Sequence, residues 1–289
     1  MTPQISFEFY PPKTLDASFR LWEAVQLLAP LAPAFVSVTY GAGGTTRRLT
    51  HEAVEAIHRN TGLAVAAHLT CVDASREETL EIARSYAAMG VKQIVALRGD
   101  PPKGSGRFVA RHDGFASSVQ LVAALKAAGD FHIRVGAYPD PHPESGGDPQ
   151  ADIDWLKRKF DAGADEAITQ FFFEAETFLR FRDRAAAAGI DPGRIIPGIL
   201  PVEDWRKARR FAEGCGARVP ADLDAAFARA IRDGREELLA IAHCSELCAD
   251  LMAEGVGKLH FYTLNKPHLT RDICAALGVS QKAELSRVA

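Results

Sequence analysis

Along this chain, short apolar runs alternate with stretches whose apolar residues recur at helical spacing, and the alternation continues to the last helix. The first run, Ile5 to Tyr10, is aromatic and is closed by Pro11 and Pro12, which predicts a strand. From Asp16 to Leu28 the apolar residues Phe19, Leu21, Trp22, Val25 and Leu28 predict a helix ended by Pro30 and Pro33. Further strands are predicted at Phe35 to Thr39, Leu63 to Leu69, Gln93 to Leu97, Ile133 to Tyr138, Ala167 to Phe173, Arg194 to Leu200 and Lys258 to Leu264. A helix is predicted between each pair, and a longer helical insert, from about Asp222 to Ala253, precedes the last strand.

Several of these strands are almost continuously apolar, as parallel strands covered on both faces are. Eight strand–helix units favour a closed (β/α)₈ TIM barrel, a single α/β domain over 1–289, above an open doubly wound sheet. The open sheet would want a GxGxxG turn, and Gly41-Ala42-Gly43-Gly44 lacks that spacing. Composition then removes function classes. A net charge of -3 without a Lys/Arg block argues against nucleic acid. The five cysteines form no CxxC pair, no zinc spacing is present, and no run reaches the roughly 18 apolar residues of a membrane span. The expectation is a cytoplasmic protein with no metal, no membrane partner and no nucleic-acid partner.

Barrel sites form at the C-terminal ends of the strands. Those ends carry Glu8, Thr39, His68 with Thr70, Arg98 with Asp100, Tyr138 with His142, Gln170, and Tyr262 with Asn265. Only His68 and His142 are expected near the mouth, too few nitrogen ligands for a metal-dependent hydrolase. Glu8 stands out, because a carboxylate inside an apolar strand is either paired or has a task.

The segments SFEFYPPKT, FVSVTYGAGG, HLTC, IVALRGD, AYPDPHPE, LKRKFDAGAD, AITQFFF, IIPGILPV and HFYTLN occur in this order. Together they resemble methylenetetrahydrofolate reductase in its flavin-dependent bacterial form, from about Ile5 to Gly278. The resemblance implies a barrel that binds FAD, takes hydride from NADH or NADPH, and reduces 5,10-methylenetetrahydrofolate to 5-methyltetrahydrofolate. It makes Glu8 the general acid that protonates N10 as the imidazolidine ring opens. Phe7, Phe9 and Tyr10 beside it in sequence suggest a desolvated acid with a raised pKa.

By the same resemblance Asp100 is catalytic, favouring the iminium cation, and Gln170, Phe211 and Tyr262 contact the folate. Thr39, His68, Arg98, Gly99, Asp100, Tyr138, His142, Asp152, Arg158 and Lys159 match FAD-contacting positions. The chain departs from the family pattern at Phe115, where tyrosine is common, at Trp155, where asparagine is common, and over Thr46-Arg47-Arg48-Leu49. These departures leave open a flavin-independent reductase of the same substrate. A non-catalytic folate-binding barrel is the alternative of a different class. A homo-oligomer is the expected assembly.

Overall fold

A computed structural model of the chain describes residues 2–40, 47–100 and 108–280. Eight parallel strands close into a barrel in sequence order: β1 (Gln4–Phe9), β2 (Val36–Val38), β3 (Val65–Thr70), β4 (Gln93–Leu97), β5 (His132–Ala137), β6 (Glu166–Phe171), β7 (Ile195–Ile199) and β8 (Lys258–Tyr262). β8 pairs back onto β1, with Ser6 opposite His260 and Glu8 opposite Tyr262. The helices are α1 (Leu15–Leu28), α2 (Arg47–Thr61), α3 (Arg76–Ala88), α4 (Ser118–Ala128), α5 (Pro149–Asp161), α6 (Ala175–Ala187), α7 (Trp205–Cys215), α8 (Ala221–Arg232), α9 (Glu236–Ala253) and α10 (Pro267–Ala276). The TIM-barrel expectation therefore holds.

Helix starts follow their capping residues. Thr14 caps α1, and Ser75 and Glu78 form a reciprocal capping box at α3. Boundaries differ from the sequence expectation where tertiary pairing intervenes. β6 stops at Phe171, not Phe173, because its register against β7 shifts between Ile168 and Phe171. α7 ends at Cys215, where Gly216 takes a left-handed conformation. The insert is two helices, α8 and α9, split by a turn in which Gly234 has φ +67°. The Gly41-Ala42-Gly43-Gly44 turn and Thr46 lie outside the described residues.

Period-two alternation sorts each strand. Ile5, Phe7 and Phe9 face the helix layer and join the main core, while Ser6 and Glu8 face inward. Phe35, Ala66, Val95, Ile168 and Ile196 form a second, smaller apolar cluster inside the barrel. At the N-terminal end of the strands the barrel is closed by charge. Glu166 accepts from Arg134 Nε at 2.9 Å and Lys258 Nζ at 2.7 Å, with His132 Nε2 at 3.1 Å. Arg134 Nη1 donates to Gln93 Oε1 at 2.7 Å.

Burial alone would raise the pKa of Glu166, but the His132 and Lys258 hydrogen bonds and the Arg134 charge bring it from 4.5 down to about 2. A carboxyl depressed on folding stabilises above its unfolded pKa and loses that contribution as pH falls toward 2. Glu166→Gln is expected to cost about 3 kcal/mol at pH 7. Denaturant melts at pH 7 and at pH 3 check this, since the gap to the parent protein should narrow at the lower pH.

Candidate active site

Glu8 sits near the C-terminal end of β1 and points into the barrel mouth. Its Oε2 lies 3.3 Å from His68 Nε2 on β3, 3.4 Å from the Ser37 hydroxyl on β2, and 3.9 Å from His260 Nε2 on β8. Ser37 donates to the carboxylate. The two Nε2 atoms face it without completing a hydrogen bond. The main chain here is pinned: Glu8 O accepts from Thr263 Oγ1 at 2.6 Å, and the Asn265 side chain brackets Tyr10 N and O at 3.0 and 2.9 Å. These bonds offset the left-handed backbone of Leu264 and Asn265, at φ 50° and 54°.

The expectation of a raised Glu8 pKa is overturned. Burial pushes it up, but the His260 and His68 imidazoles facing the carboxylate outweigh that and bring it to about 2. The aromatic neighbours in sequence do not surround the carboxyl. Phe7 and Phe9 are buried on the opposite side of the strand, and Tyr10 is 38% exposed. His260 is the residue sequence reasoning missed, and the mouth therefore holds more histidine than His68 and His142. Its signal was parity: Lys258, His260 and Tyr262 share the inward face that the β1–β8 register gives to Ser6 and Glu8.

His260 is fully buried, with Nδ1 2.8 Å from Ser6 Oγ, and burial pushes its pKa down. The Tyr262 ring stands edge-on to it at 5.4 Å. The Tyr262 hydroxyl donates to Thr169 O at 2.6 Å, and burial followed by the nearby Glu8 charge raises its pKa. Tyr262 thus stays a donor. Its ring crosses β7 at Gly198, where a Cβ would lie 2.6 Å from it.

A second group of predicted residues gathers after β4 and β5. Arg98 is paired with Glu144, and Gly99, at φ +83°, leaves no room for a Cβ against Val72. Tyr138 meets His142 edge-on at 4.6 Å. Asp152 accepts from His142 N at 2.9 Å and from the Ser145 hydroxyl at 3.0 Å. Lys159 Nζ donates to Gly136 O at 2.7 Å, and burial lowers its pKa to about 8 against the pull of Asp152. Asp100 is exposed, and its charge helps raise Tyr138 and Cys215.

The remaining predicted residues are more dispersed. Gln170 turns its Oε1 back to Phe171 N at 3.0 Å. Phe211 on α7 is 51% exposed and stacks on Phe171 at 5.3 Å. Thr39 is half-buried, with its carbonyl accepting from Thr50 Oγ1. Arg158 is exposed on α5 and lies over Trp155. Phe115 is a buried core residue under the Arg76 guanidinium. Among the described residues there is no His/Cys/Asp/Glu group able to hold a metal, and no helix long and apolar enough to cross a membrane.

The family model described as methylenetetrahydrofolate reductase matches residues 1–278. The chain belongs to the methylenetetrahydrofolate reductase family. It is 47% identical over 276 residues to 5,10-methylenetetrahydrofolate reductase of Escherichia coli K12, covering 95% of this chain and 90% of that one. The Salmonella typhimurium enzyme of the same name is 46% identical over the same coverage. An Arabidopsis thaliana relative, methylenetetrahydrofolate reductase (NADH) 1, is 36% identical over 98% of this chain, which spans only 49% of that longer protein. A solved structure from Clostridium thermocellum, described as binding two copies of 5-methyl-5,6,7,8-tetrahydrofolic acid, superposes with a TM-score of 0.63 over 96% of this chain and 95% of that one. At 13% identity it speaks for the shared fold alone. The family thus carries the reductase name at an identity that spans the barrel and both residue groups at its mouth.

Proposed function

We propose that this chain reduces 5,10-methylenetetrahydrofolate to 5-methyltetrahydrofolate as an NAD(P)H-dependent flavoprotein, with Glu8 as general acid. The observation that carries the reading is the placement of a half-buried Glu8 against the buried Ser37, His68 and His260 as one proton-handling group at the mouth, in a chain of this family. Bound FAD would supply the hydride relay between the nicotinamide and the folate. The donor set suits such a ligand: Arg98 and Lys159 offer positive charge for a pyrophosphate, and the buried Thr70 hydroxyl on β3 has no partner of its own. Thr39, His68, Gly99, Asp100, Tyr138, His142, Asp152 and Arg158 complete the proposed cofactor contacts, while Gln170, Phe211 and Tyr262 are assigned to the folate.

Opening the imidazolidine ring breaks the bond between N10 and the methylene carbon. The electron pair stays on N10 with a proton from Glu8, and a cation is left at the N5 iminium. Because the carboxyl is ionised at neutral pH, it must first be loaded, and His68 Nε2 and His260 Nε2 are the neighbours able to pass that proton. The negative Asp100 then favours the cation. The reading assigns the work to one catalytic domain, 1–289, acting in the cytoplasm as a homo-oligomer.

An anaerobic NADH-oxidation assay with FAD supplied tests it. Oxidation that continues only when methylenetetrahydrofolate is added is the expected result, and NADH oxidation indifferent to the folate would remove the proposed reaction.

A further inference from the structure

The charged floor of the barrel and the acid at its mouth are joined by one aromatic ring. The Arg134 guanidinium on β5 lies 3.6 Å from the centroid of Phe35, and the His260 imidazole stacks on the same ring at 5.5 Å, with 14° between the planes. Arg134 is 6% exposed and His260 fully buried, so water does not screen one from the other. We infer that Arg134 is a positioning residue for the proposed general acid, acting through Phe35 and His260 to decide which member of the Glu8–His260 pair carries a proton.

The inference rests on the proposed role of Glu8. It concerns one proton and no electrons. A proton arriving at the pair sits on His260 Nε2, leaving a carboxylate, or on Glu8, leaving a neutral imidazole. Only the second form can protonate N10. A fixed cation beneath the imidazole disfavours the first form, because like charges repel most where the surroundings are dry. Burial of His260, with the Arg134 and His68 charges adding to it, works in the same direction against the pull of Glu8.

The groups facing His260 are Ser6 and Glu8 on β1, His68 on β3, Arg134 on β5 and Tyr262 on β8. Ser6 and Tyr262 keep their protons and carry no charge at neutral pH, which leaves Glu8, His68 and Arg134 to set the balance. Arg134 is itself fixed by Gln93 on β4 and by Glu166 on β6, which Lys258 and His132 also hold. Glu166 therefore offsets only part of the Arg134 charge, because Lys258 shares it.

The test is the imidazole state of His260, followed by nitrogen NMR of the full-length protein labelled with ¹⁵N-histidine and assigned with His260→Gln. A buried unit charge one ring away is worth about one pKa unit at an effective dielectric of about 20. Arg134→Met should raise the His260 midpoint by about one pH unit and lower folate reduction at pH 7 by about tenfold. Reduction of bound flavin by NADH should stay at the parent rate. Arg134→Lys, which keeps the charge, should restore the His260 midpoint.

An unmoved midpoint in Arg134→Met, or an equal shift in Arg134→Lys, would overturn the inference. If Arg134→Met does not fold, Arg134→Gln, which removes the charge but keeps a hydrogen-bonding side chain beside Gln93 and Glu166, is read the same way. Folate turnover surviving in Glu8→Gln while the His260 shift is intact would instead sink the acid role and leave the charge coupling standing.

Discussion

Glu8→Gln is expected to lower methylenetetrahydrofolate reduction by about 10²- to 10⁴-fold, the usual contribution of a positioned general acid. Glutamine keeps the shape and accepts from the Ser37 hydroxyl as Glu8 does, but it has no proton to give N10. Reduction of bound flavin by NADH does not need the folate ring to open, so it should survive near the parent rate. Single-turnover measurements of the two half-reactions separate these effects. Equal losses in both would mean a damaged barrel mouth, and unimpaired folate turnover would take Glu8 out of the chemistry.

The structure also sets what a pH profile should show. His68 and His260 hold Glu8 ionised until about pH 2, so at neutral pH the carboxyl acts by taking a proton from a neighbour and returning it to N10. Removing His260 should release Glu8 from part of this depression and move its titration upward, opposite to the effect expected from removing a hydrophobic wall. The expected profile is a direct consequence of the strand alternation that puts histidines, and not Phe7 and Phe9, around the carboxyl.

Gly198→Ala should be as damaging for a steric reason. A Cβ at this position would lie 2.1 Å from Thr169 O, 2.6 Å from Tyr262 Cε2 and 2.8 Å from the Tyr262 hydroxyl. The first of these is main chain in the neighbouring strand and cannot swing aside. Thr169 Oγ1 also accepts from Gly198 N at 2.9 Å, so the two strands are tied at the point of conflict. Relief requires parting β6 from β7 or displacing Tyr262, and overpacking of this kind costs about 3 kcal/mol. Denaturant melts check the stability loss. A variant of parent stability would show that the strand can shift without cost and that Tyr262 is not held as described.

The barrel was legible because its evidence is periodic. Continuous apolar strands separated by helical spacing fix the class, and Pro11 marks an end that the structure keeps. Boundaries moved where pairing decided them, as at β6, whose register shift no single-strand pattern reveals. Glu8 was legible as a misplaced carboxylate, and its ionisation was not. Sequence neighbours of a strand residue lie on the other face, whereas the groups that set its pKa come from β3 and β8, far away in sequence. Arg134 carries no signal of its own along the strand, because Phe35 and Glu166 come to it only when the barrel closes.

The most direct measurement is the visible absorbance spectrum of the freshly purified protein, followed by anaerobic NADH and then methylenetetrahydrofolate. The account predicts flavin bands that bleach on NADH and return on the folate. A colourless protein that resists loading with FAD, yet oxidises NADH when the folate is present, would contradict it by showing hydride passing without a flavin.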